Sequence, residues 1–106
     1  MQQLPENLDF QAANILLEAF KGNNTDLPEI VTAGWNVAGW CLHLGLPLVV
    51  RDNPMMGAVS DDDLVTEIEG LISDPQVDHI SKGVLSSAAI AFLLRIALKY
   101  ILNQVG

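Results

Sequence analysis

The sequence is short of the residues that most recognisable chemistries need. Its single cysteine, Cys41, leaves no partner for an internal disulfide. Only 17% of the 106 residues are charged, and five Lys and Arg stand against thirteen Asp and Glu, for a net charge of -8. That sign is wrong for a surface that gains affinity by displacing phosphate counterions, so no nucleic-acid partner is expected. The chain carries no phosphate-cradling glycine loop, no nucleophile elbow and no dinucleotide fingerprint. Repeats, low-complexity tracts and long polar linkers are absent too, which leaves residues 1–106 to read as a single helical domain. Met1 to Glu6 lack the basic start and apolar run of a signal peptide. With the lone cysteine, that points to a reducing, cytoplasmic setting.

What the chain does hold is apolar residues, 50% of the total, with a mean hydropathy of +0.32, too many for a disordered polymer. They recur with helical periodicity in four segments. From Leu8 to Lys21, Gln11, Asn14, Glu18 and Lys21 form one polar stripe while Leu8, Ala12, Ile15, Leu16, Ala19 and Phe20 line another face. Gly22 can supply the left-handed residue that ends this helix. A second helix enters through Asp26 with Pro28 in its first turn and runs to about His43 and Gly45. It is apolar nearly all round, which predicts a central position.

Between Gly45 and Gly57 the pattern breaks, and Pro47 and the Asp52-Asn53-Pro54 turn signal predict an irregular or short extended connection near residues 46–59. Ser60 then offers a capping hydroxyl to a third helix whose first turn holds Asp61, Asp62 and Asp63, at the positive end of the helix dipole. Leu64, Val65, Ile68, Leu71 and Ile72 form its apolar face, and Asp74-Pro75 stops it. A last helix is expected from about Asp78 to Gln104, with Ser81, Ala88, Arg95 and Lys99 as a narrow stripe on an otherwise apolar cylinder. Val84 to Leu102 has membrane-spanning length, but Arg95 well inside the run costs about 2.5 to 3.5 kcal/mol at a helix centre, so a membrane partner is not expected. The expected fold is an all-α, compact bundle of four main helices.

Three groups of side chains are candidates for function. On the second helix Thr32, Asn36, Gly39 and His43 fall at i, i+4, i+7 and i+11, with Trp35 and Trp40 about 70° to either side. Two indoles around a few orienting polar groups make a possible wall for a small-molecule pocket lined by Thr32, Trp35, Asn36, Trp40 and His43. The plainer reading is a solvated or subunit-facing stripe. On the opposite side Gly34, Ala38, Cys41 and Gly45 form a row of small residues into which the first or the last helix can pack closely.

Catalytic and metal chemistry find little footing. Cys41 and His43 lie about 200° apart around a helix, which removes a thiolate dyad. Asp61, Asp62, Asp63, Glu67 and Glu69 spread around their helix without the glycine and alternation of a calcium loop. Asp74, Asp78 and His79 have no second His or Cys nearby to complete a metal site. No catalytic residue, metal or cofactor is therefore expected, and the protein is read as non-enzymatic.

Charge is segregated along the chain. Residues 1–78 contain all thirteen carboxylates and only Lys21 and Arg51, a net of 2 - 13 = -11, whereas residues 79–106 carry Lys82, Arg95 and Lys99, a net of +3. Such a division can guide helix docking within one molecule or antiparallel pairing between two. The apolar fraction, a final helix without a wide polar face, and the adaptable thioethers of Met55 and Met56 beside Pro54 all favour association. The leading expectation is an acidic protein-interaction module that forms a homodimer, the commonest closed assembly, with Met55, Met56, Arg95 and Lys99 as interaction residues and its protein partner unidentified.

Overall fold

A computed structural model describes residues 7–46, 60–77, 80 and 84–105. They form an all-α bundle of four helices: α1 (Phe10–Lys21), α2 (Leu27–His43), α3 (Asp61–Ile72) and α4 (Ser87–Val105). The expected connection near residues 46–59 lies, from Pro47 onward, outside the described residues.

Local capping chemistry sets most of the helix ends. Asp9 Oδ1 accepts from the Gln11 amide at 3.0 Å to open α1. At the other end Gly22 takes φ 84°, its amide donates to Ala19 O, and the Asn23 amide reaches back to Glu18 O. This pair of bonds is the Schellman closure that a left-handed residue permits. α2 ends in the same way on Gly45, φ 79°, with Gly45 donating to Leu42 O and Leu46 to Cys41 O. Asp26 and Ser60 cap α2 and α3 through Glu29 N and Asp63 N.

Two expected boundaries are corrected. Leu8 is not helical: it pairs with Ile80 in an isolated antiparallel bridge, Leu8 N donating to Ile80 O at 2.7 Å and Ile80 N to Leu8 O at 3.0 Å. The last helix begins at Ser87 rather than near Asp78. Ser86 fixes that start, because its Oγ accepts from Ala89 N while Glu67 of α3 accepts both the Ser86 amide at 2.7 Å and the Ser86 hydroxyl at 2.9 Å. A capping box draws its carboxylate from the same helix three residues on. Here that carboxylate comes from a neighbouring one.

α2 and α4 form the principal packed pair. Gly34 makes their approach possible: a Cβ there would lie 3.3 Å from Ala97 O and 3.4 Å from the Ile101 side chain. Small residues along a helix let a second backbone come this close, so one member of the small-residue row receives α4. The apolar girth of α4 is covered largely by its own chain, with Ala89, Phe92, Leu93 and Ala97 fully buried and Ile90, Leu94, Ile96, Leu98 and Ile101 nearly so. Among the described residues Leu102 stands out at 60% exposed, and Ala88, Ala91 and Tyr100 are partly buried. One core cluster takes in residues from all four helices together with Leu8 and Ile80.

Candidate functional site

α2 has two dissimilar halves. Placed on a wheel at about 100° per residue, Trp40, Ala33, Val37, Ile30, Cys41, Gly34 and Ala38 occupy one continuous arc, and all are buried. The remaining arc meets solvent and is itself divided. Glu29, Thr32, Asn36 and His43 make a polar band, while Val31, Trp35 and Leu42 lie within about 40° of one another as an apolar seam, joined at the first residue of the helix by Leu27, whose angle falls between those of buried Gly34 and Ala38. Leu27 is 46% exposed, Trp35 57% and Leu42 47%, with Val31 half-buried among them.

The five proposed pocket residues are therefore spread over three environments. Thr32, Asn36 and His43 share the exposed polar band, and the Thr32 hydroxyl donates back to Pro28 O at 2.9 Å. Trp35 sits beside them on the seam. Trp40 is fully buried in the core, on the far margin of the band. Thr32 and Asn36 do line an open groove of about 400 Å³ between α1 and α2, with Glu29 on the same wall and Asp9, Ala12 and Ile15 opposite. Trp35, Trp40 and His43 are not among its lining residues. Asp9 is engaged as the α1 cap, and Glu29 accepts from Asn24 Nδ2 at 3.2 Å.

The interaction residues separate as well. Met55 and Met56 lie outside the described residues. Arg95 Nη2 donates to Asp61 Oδ1 at 3.0 Å, and its guanidinium rests 5.5 Å from the Phe92 ring centroid, which in turn meets Phe20 edge-on at 5.1 Å. One basic residue of the C-terminal part thus pairs with the acidic part inside the same molecule. Both partners are nearly half exposed, so the pair contributes little to stability. Lys99 is exposed, with Nζ 5.9 Å from the Tyr100 ring centroid.

The chemistry available at these positions is limited. Burial pushes the Cys41 thiol up to about 11, which keeps it protonated and unreactive at neutral pH. Among the described residues no polar or charged side chain is buried, and no three His, Cys, Asp or Glu come together to hold a metal ion. Asp78 and His79, weighed above as ligands, lie outside the described residues. No helix among them is long and apolar enough to cross a membrane.

The apolar seam is the feature that sequence reasoning did not isolate. Its members recur at i, i+4, i+8 and i+15, which is a readable signal. On a helix apolar nearly all round, however, spacing alone does not say which arc faces out. The chain matches no family model, no curated protein and no solved structure.

Proposed function

We propose that this protein is a non-enzymatic, helical protein-interaction module of the cytoplasm that associates with a second copy of itself through the exposed seam of α2. The observation that carries this reading is Trp35, an indole 57% exposed between two exposed leucines on the same face. A contiguous apolar patch on a small protein marks a binding surface more often than a chance exposure, and tryptophan is enriched at the centres of such surfaces. Burial of α4 within the chain moves the argument for association from that helix to α2. Cys41 is enclosed and held protonated by burial, which fits a binding role better than a nucleophilic one.

Quenching by acrylamide tests it on the unaltered protein. Trp35 is open to the quencher and Trp40 is enclosed, so a dilute sample has one accessible emitter and one protected. The expected result is that the accessible fraction falls as protein concentration rises and that Trp35→Asp removes this concentration dependence. An accessible fraction constant over the whole concentration range overturns the proposal.

A second reading is favoured by the groove beside Thr32 and Asn36, whose volume lies within the range of small-molecule sites. On this reading a small ligand binds between α1 and α2. Saturable binding of a ligand from an apolar and aromatic mixture, abolished by Asn36→Ala and unaffected by Trp35→Asp, selects it over self-association.

A further inference from the structure

Resting on the small-ligand reading of the groove between α1 and α2, we infer that its ligand is a linear aliphatic polyamine, held by Asp9 at one end and Glu29 at the other. α1 and α2 pack together and are joined through residues 22–26, a connection short enough to make them antiparallel neighbours. Glu29 therefore sits near that loop, where Asn24 donates to it. Asp9, the cap of α1, sits at the far end. Asp9 lies twelve residues before Lys21 and Glu29 two residues after Leu27, so at the helical rise per residue the two acidic positions stand about 15 Å apart along the pair. Both line the groove.

The rest of the lining is apolar or neutral. Ala12 and Ala33 are buried along it with Ile15 half-buried beside them, and Thr32 and Asn36 add neutral acceptors. No Lys, Arg or His lines the groove. Among the described residues the basic side chains that form ion pairs meet Glu18, Glu69 and Asp61, not Asp9 or Glu29. Each of these two carboxylates engages one oxygen within the fold, Asp9 Oδ1 with the Gln11 amide and Glu29 Oε2 with Asn24, which leaves a second oxygen with acceptor capacity. An alkyl chain can lie along such a lining while its ammonium ends reach the carboxylates, as a lysine stem lies on apolar surface with its head in water. Unlike charge at both ends selects this class over neutral or anionic chains of the same length. The net charge of -8 also attracts a polycation from a distance.

Backbone amide NMR shifts of Thr32, Ala33 and Asn36 test the inference when the protein is titrated separately with diaminooctane, octanediol and octanedioate, chains of similar length whose ends are cationic, neutral and anionic. The expected result is saturable shifts with diaminooctane at an affinity about tenfold above the other two, since each exposed ion pair contributes roughly threefold. Asp9→Asn keeps an oxygen to cap α1, and Glu29→Gln keeps an acceptor for Asn24. Each should weaken diaminooctane about threefold and leave octanediol unchanged. A loss at only one of the two variants, or at neither, overturns the two-ended placement, and octanediol bound as tightly as diaminooctane overturns the cationic class. Both of those results leave the groove reading standing. No saturable shift with any of the three chains overturns the inference, and the groove reading itself falls if the apolar and aromatic mixture also fails to bind.

Discussion

Two tryptophans five residues apart on α2 meet opposite fates. Trp40 is fully buried and Trp35 is 57% exposed, because five residues turn a helix by about 140° and carry the side chain from one half of the wheel to the other. The buried half is defined by neighbours, with α4 seated at Gly34 and α1 alongside the Ala33 face. On the other half Leu27, Trp35 and Leu42 stand exposed and Val31 is half-buried. One side of α2 therefore serves folding, while the other carries these exposed apolar side chains beside a polar band.

Substitutions that treat the halves alike should have unlike consequences. The largest effect is expected at Trp40→Ala, which leaves a cavity in the core and costs about 3–5 kcal/mol, measured as a lower urea midpoint. Next comes thiol reactivity: with its pKa near 11, Cys41 in the folded protein should react with a thiol reagent at pH 8 at least about 100-fold more slowly than the exposed thiol of Leu42→Cys in a Cys41→Ala background. The same shift sets a pH dependence. The fold favours the neutral thiol, so this contribution is full below the ordinary value of 9.0 and is lost as pH rises toward 11. The unfolding midpoint should fall over that window more steeply in the wild type than in Cys41→Ala.

A smaller effect is expected at Gly34→Val. The new side chain meets Ala97 O and Ile101, and overpacking at such a contact costs about 1–3 kcal/mol, read as a lower melting temperature. Trp35→Ala should be the mildest, shifting monomer stability by no more than about 0.5 kcal/mol, as exposed substitutions do. Equal losses at Trp35 and Trp40 would erase the contrast between the two faces.

The parts of the fold that were legible in the sequence are those fixed by local chemistry. Gly22 closing α1, Pro28 in the first turn of α2 and Ser60 capping α3 all act over a few residues, and each lies where its spacing placed it. The start of α4 was not legible, since Glu67 anchors Ser86 from nineteen residues away. Leu8 was missed for the same reason, its bridge to Ile80 being a long-range pairing.

The site follows the same division. Helical spacing placed Thr32, Asn36 and His43 on one side of α2, and the structure finds all three exposed. Spacing gives relative angles without an origin, so it did not tell which flanking indole turns inward. The packing of α1 and α4 supplies that origin, burying Trp40 and leaving Trp35 on an apolar seam that a uniformly apolar helix had concealed.

Sedimentation equilibrium over a wide concentration series tests the role of that seam most directly. The weight-average mass of the wild-type protein should climb from 11.5 kDa toward twice that value as concentration passes through the micromolar range, while Trp35→Asp stays at the monomer mass. A wild-type protein that remains monomeric into the millimolar range, or a Trp35→Asp variant that associates as the wild type does, would contradict the account.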